Sequence, residues 1–211
     1  PSLHDGIVEI PSATATITLA TTTEVRVSPT VLAFTSSNWD TPQSVLVTAV
    51  DDLFDEDTQY HTIRHGCVSN DPDYNVSIPF VPTSLVNVTV YDNDHAAVVM
   101  THTTVRVREN GANGTYRIKL ATPPRASATI SLEPSAAGLQ ALPAKLVFNS
   151  STWSKDQVVT VSARSGTTAG RTEIHNISFS VVSGDASYSS SSNPVLLQPN
   201  RVHVTVFDEA S

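Results

Sequence analysis

The stretch Val31-Leu-Ala-Phe-Thr-Ser-Ser-Asn-Trp-Asp-Thr-Pro-Gln-Ser-Val-Leu-Val-Thr-Ala49 decides the fold, because the chain writes it twice. Its Leu32, Phe34, Ser36, Ser37, Trp39, Gln43, Val45, Val47 and Ala49 return as Leu146, Phe148, Ser150, Ser151, Trp153, Gln157, Val159, Val161 and Ala163, a constant 114 residues on. Pro29 returns as Pro143 at the same spacing, and Ser69, Asp71 and Tyr74 return as Ser183, Asp185 and Tyr188. Val86-x-Val88-Thr89-Val90-x-Asp92 returns as Val202-x-Val204-Thr205-Val206-x-Asp208, 116 residues on. Solenoid units run about 20–50 residues, so this period belongs to a whole domain in tandem. The 211 residues therefore divide into a first repeat, 1–94, and a second, 95–211, with the boundary at Asp92-Asn93-Asp94. Each is long enough to bury a core without metals or disulfides as staples.

Within each repeat the apolar residues alternate with period two. Ala15-Thr-Ile17-Thr-Leu19, Val45-Leu-Val47-Thr-Ala49 and Val86-Asn-Val88-Thr-Val90 are examples in the first copy, and Tyr116-Arg-Ile118-Lys-Leu120, Ala128-Thr-Ile130-Ser-Leu132 and Val202-His-Val204-Thr-Val206 in the second. Such segments are half-buried antiparallel strands with one apolar and one polar face. Breakers separate them: Pro11, Pro29, Pro42, Pro123-Pro124, Pro143 and the Asn110-Gly111 turn. No helical stripe of useful length interrupts the pattern. The expectation is an all-β protein of two tandem immunoglobulin-like antiparallel β-sandwiches.

The copies are unequal at their starts. Ile17 matches Ile130, which places Pro1 on Gly114 and leaves Val105-Arg-Val107-Arg-Glu109, the opening strand of the second repeat, with no counterpart in the first. Either the sequence is cut from a longer array, or the first repeat takes that strand from a neighbour, since an open sheet edge accepts strand addition.

Composition narrows the function. Net charge is −8, with charged residues at 15% and Ser and Thr filling the polar positions. Phosphate binding needs clustered Lys and Arg, so a nucleic-acid partner is not expected, and no apolar run is long enough to insert in a membrane. The lone Cys67 cannot form an internal disulfide and reads as a small core residue. The seven histidines are scattered, and there is no HExxH, Gly-x-Ser-x-Gly or P-loop pattern. The acids gather on one loop edge rather than facing one another across a cleft. Catalysis is not expected. Trp39 and Trp153, one per repeat, read as core or corner anchors, and Asp71-x-x-Tyr74 with Asp185-x-x-Tyr188 as loop clasps made through the tyrosine hydroxyl.

Five Asn-x-Ser/Thr sequons occur, at Asn75, Asn87, Asn113, Asn149 and Asn176, none with Pro at the middle position. By alternation Asn87 and Asn176 point away from the core face, and Asn113 sits in a Gly-rich turn. Together they predict N-linked glycans on an extracellular or cell-surface protein.

The run from Val31 to Asp52, the terminal Val-x-Val-Thr-Val-x-Asp strands and Val107-Arg-Glu109-Asn-Gly111 resemble Calx-β-like and related immunoglobulin-like repeats of large surface proteins. The resemblance covers nearly all of both repeats and implies Ca²⁺ held in loops at one end of the sandwich. The matching residues are Asp51, Asp52, Asp55, Glu56, Asp57, Asp92 and Asp94, hard oxygen donors of the kind calcium takes. The second repeat departs from this pattern, with Ser165-Gly166 in place of Asp51-Asp52. Two functions follow as expectations. One is a structural glycoprotein whose repeats build a surface fibre, filament or adhesin stalk with copies of itself or adjacent repeats. The other is a calcium-binding module that recognises a carbohydrate or protein ligand.

Overall fold

The computed structural model describes residues 9–74, 85–192 and 200–208. They form fifteen strands and one 3-10 turn, Ala186–Tyr188. The protein is all-β, with every strand pairing antiparallel but one. Contacts divide the chain into two compact units, Pro1–Asp52 with Asp57–Asp92, and Leu53–Glu56 with Asn93–Ser211. This differs from a single cut after Asp94. Leu53–Glu56 go with the second unit because Arg125 engages both Phe54 and Glu56.

The first unit contains β1 (Ala15–Ala20), β2 (Val25–Ser28), β3 (Val31–Phe34), β4 (Leu46–Ala49), β5 (Gln59–Ser69) and β6 (Leu85–Val90). They make a four-stranded sheet, β3-β1-β5-β6, and a two-stranded one, β2-β4. The second unit contains β7 (Val98–Met100), β8 (Thr104–Arg108), β9 (Gly114–Leu120), β10 (Ala128–Pro134), β11 (Leu139–Leu142), β12 (Lys145–Phe148), β13 (Gln157–Ala163), β14 (Glu173–Ser183) and β15 (Arg201–Phe207). Its sheets are β12-β10-β14-β15-β8 and β11-β13-β9-β7. The inward residues of both sheets join one core, which includes Tyr116, Ile118, Ile130, Phe148, Val159, Val161, Val204 and Val206.

The sequence repeat is a repeat of register. Ile17 faces Leu32 and Cys67 on its two neighbours, and Ile130 faces Leu146 and Val181. Ile63 faces Val86 as Ile177 faces Val202. Side-chain direction has period two, so equal registers put equivalent residues on the core side in both units. Gln43 and Gln157 each donate through Nε2 to the carbonyl of residue 33 or 147, at 2.8 Å in both cases. The Ser28–Pro29 and Leu142–Pro143 peptide bonds are both cis.

The units differ in how far their inward residues are covered. Ile130, Phe148, Val161, Val202, Val204 and Val206 are all 0% exposed. Their counterparts Ile17, Phe34, Val86, Val88 and Val90 are half-buried, and Val47 is 40% exposed. In the second unit β9 flanks β13, with β7 beyond it, and β8 flanks β15. Among the described residues no strand flanks β4 or β6 at the corresponding edges. Gly114 is required where β9 passes β8, since a Cβ there would lie 2.2 Å from Val105 Cγ1 and 2.8 Å from the Arg106 carbonyl oxygen.

Candidate functional site

The clasps are built alike. In the second unit the turn after β14 brings Asp185 and Tyr188 back over the segment before β10. Asp185 Oδ2 accepts the Arg125 N–H at 2.7 Å, and Asp185 Oδ1 accepts the Ser187 N–H at 3.1 Å. The Tyr188 hydroxyl donates to the Thr122 carbonyl at 2.7 Å and accepts the Thr122 N–H at 2.9 Å. Ser183 Oγ accepts the Asp185 N–H at 3.0 Å. The first unit repeats each bond. Asp71 Oδ2 accepts the Ser12 N–H at 2.7 Å and Oδ1 the Asp73 N–H at 3.0 Å. The Tyr74 hydroxyl donates to the Glu9 carbonyl at 2.6 Å and accepts its N–H at 3.0 Å, while Ser69 Oγ accepts the Asp71 N–H at 3.0 Å. Ser-x-Asp-x-x-Tyr thus closes a loop by satisfying main-chain groups that no strand pairs. Three donors, led by the Ser12 N–H, then the Ser12 hydroxyl and the Asp73 N–H, hold the Asp71 carboxyl below its ordinary range. Burial pushes the Tyr188 phenol up, against the Thr122 hydrogen bonds.

The acids implied by the Calx-β resemblance do not assemble in this way. Asp51 and Asp52 are exposed at the end of β4, as is Asp57 just before β5, while Asp55, Glu56, Asp92 and Asp94 are half-buried. Asp51, Asp52, Asp57 and Asp92 belong to the first unit and Asp55, Glu56 and Asp94 to the second. The Glu56 carboxylate forms an ion pair with Arg125, whose guanidinium also lies over the Phe54 ring, 4.8 Å from its centroid. Among the described residues no three His, Cys, Asp or Glu side chains gather in either unit as a metal ion would need.

A further carboxylate, unremarked in sequence reading as a site, is Glu109, 4% exposed just after β8. It accepts the Thr168 N–H, and the Thr168 hydroxyl lies 3.5 Å from Asp208 Oδ1. Its burial was legible in the alternation Val105-x-Val107-x-Glu109, which turns Glu109 to the core side.

Of the sequons, Asn87 on β6, Asn113 before β9 and Asn149 after β12 are exposed. Asn149 Oδ1 accepts the Ser151 N–H and the Thr152 hydroxyl, a turn held at the Asn itself. Asn176 lies on the outer face of β14 by alternation but is half-buried, with Oδ1 enclosed and without a hydrogen-bond partner. Asn75 lies outside the described residues.

The remaining candidates are packing groups. His61 bonds Thr22 Oγ1 at 2.9 Å and Gln59 Oε1 at 3.0 Å. Trp153 packs on the core of the second unit, and Trp39 is half-buried. Cys67 faces Ile17 and is half-buried rather than fully enclosed, unlike its counterpart Val181 at 1% exposure. Burial pushes its thiol up, away from the reactive thiolate form.

No known family matches the chain, and no curated protein does. Among solved structures it is similar to CBD12 from CALX1.2, at 12% identity and a TM-score of 0.40, over 94% of this chain and 89% of that one. It is similar to the calcium binding domain CBD12 of CALX1.1, at 12% identity and a TM-score of 0.38, over 80% and 68%. It is also similar to the D0-D1 domain of intimin, at 13% identity and a TM-score of 0.29, over 94% and 80%. None of these transfers a ligand or an activity to this chain.

Proposed function

We propose that the protein is a structural component of the extracellular surface, its immunoglobulin-like repeats serving as modules of a glycosylated fibre or adhesin stalk. The observation that carries this reading is the duplication itself. Two units share strand registers, the Gln43/Gln157 brace and both halves of the Asp/Tyr clasp, as expected when one rigid module is multiplied for length. The repeated polar groups make main-chain hydrogen bonds, which rigidifies the loops they close. Exposed Asn87, Asn113 and Asn149 supply attachment points for N-linked glycans, compatible with the Ser/Thr-rich, weakly charged surface. Its partners are other copies or adjacent repeats, and neither nucleic acid nor a membrane.

The test is the intact mass of the natural protein before and after enzymatic removal of N-glycans, with negative-stain microscopy of the same material. Mass that drops on treatment, from particles that are elongated and repetitive, is the expected result. A mass of 22.5 kDa that treatment leaves unchanged, from compact single particles, would overturn the reading.

A further inference from the structure

The second unit displays what covers the outer edge of its larger sheet. There β8 lies parallel to β15, with Val105 beside Val204 and Val107 beside Val206. The ladder is extended at its ends, where the His203 N–H donates to the Thr103 carbonyl at 2.8 Å and the Glu109 N–H to the Phe207 carbonyl at 3.0 Å. Val105 and Val107 are 5% and 2% exposed, and the two valines they adjoin are fully buried.

The first unit presents the same edge. β6 matches β15 residue for residue through Val86, Val88, Thr89 and Val90, and it pairs with β5 in the register that β15 keeps with β14. Among the described residues nothing pairs with its far side, and Val88 and Val90 are only half-buried. We infer that the β6 edge, over Asn87–Tyr91, is an acceptor for one extended segment, laid parallel to β6 as β8 is on β15 and carrying two aliphatic side chains at alternate positions.

The chemistry of the occupant follows from β8. Its main chain would pair with the main-chain groups of Asn87, Thr89 and Tyr91, the counterparts of His203, Thr205 and Phe207. Its two aliphatic residues would stand beside Val88 and Val90 and complete their burial. Its outward residues would be polar, as Thr104, Arg106 and Arg108 are in β8. A cation is favoured opposite Tyr91, which is 77% exposed and stands where Phe207 faces Arg108. A glycan on Asn87 would project from the sheet face and leave the edge open, since side chains stand perpendicular to the pairing direction.

This inference rests on the proposed reading of the protein as a module of assembly, and the experiment separates the two. The probe is a synthetic peptide of residues 101–110, Thr-His-Thr-Thr-Val-Arg-Val-Arg-Glu-Asn, added to the 211-residue protein. Expected are saturable binding, slowed amide exchange at Asn87 and Thr89, and paramagnetic broadening that places the peptide N-terminus near Leu85 and its C-terminus near Tyr91. A peptide carrying Val105→Asp and Val107→Asp should bind more than about tenfold more weakly, because two buried aliphatic side chains are lost. Thr89→Pro in the protein should abolish capture by removing an edge N–H. If that variant fails to fold, the aspartate peptide on the unaltered protein decides. Absence of binding, antiparallel placement, protection elsewhere or indifference to the aspartates would each overturn the acceptor edge. Fibres in the micrographs with no peptide capture would sink this inference alone, and capture without fibres would sink the assembly reading alone.

Discussion

At the scale of single residues, two buried tyrosines in the second unit make opposite demands on their surroundings. Tyr188 Oη is bonded to both the N–H and the carbonyl of Thr122, whereas Tyr116 Oη is buried and has no partner. Tyr188→Phe leaves buried main-chain groups unsatisfied and should cost about 1–3 kcal/mol. Tyr116→Phe removes an orphan hydroxyl and should be neutral or stabilising, within about 0.5 kcal/mol. Urea midpoints of the two variants, read from Trp153, check the contrast, and equal losses would refute it. Asp71 predicts an acid limb for the first unit. Its folded carboxyl titrates below the unfolded one, so on acidification the unfolded chain takes up the proton first. The contribution is complete above the unfolded value near ~3.9 and disappears as pH falls through the lower folded value. Stability of the first unit, followed by Trp39, should fall between roughly pH 5 and 2, and Asp71→Asn should flatten that fall. An unchanged slope in the variant would assign the acid limb to other groups.

At the scale of elements, equivalent strands carry unequal weight. β10 and β1 share sequence pattern and register, but Ile130 is fully buried between covered sheets while Ile17 is half-buried. Ile130→Ala should cost about 2–5 kcal/mol, the range for a large-to-small change in a closed core. Ile17→Ala should cost distinctly less, because part of its surface already meets water. Chemical denaturation of both variants measures the difference, and a larger loss at Ile17 would mean that its strand is covered in solution. Capture of the probe peptide at β6 should narrow the gap by covering the valines that pack against the same cluster.

At the scale of the molecule, the calcium reading and the fibre reading part company. Among the described residues no three acids gather as a metal would need, and Glu56 is already paired with Arg125. Millimolar Ca²⁺ or a chelator should therefore leave the melting temperature unchanged and give no heat in titration calorimetry. A saturable rise in melting temperature that disappears in Asp51→Ala or Asp92→Ala would restore the calcium module.

What could be read from the chain alone was whatever depends on neighbours in sequence. Alternation marks strands because side chains flip face at every residue, so Ala15–Leu19 and Val202–Val206 announced an all-β protein. The duplicated Ser-x-Asp-x-x-Tyr announced a clasp by its recurrence, but its partners, Glu9 and Ser12 or Thr122 and Arg125, lie 59–66 residues away and were named only by the fold. The tertiary structure alone decided which edges are occupied and which acids meet. Sequence spacing could not say that Glu56 would be claimed by Arg125, 69 residues away. Nor could it say that β8 would lie parallel on β15 while the matching face of β6 has no described partner. Strand pairing and ion pairing join residues far apart in the chain, and the free energy of each depends on what else the fold brings to that place.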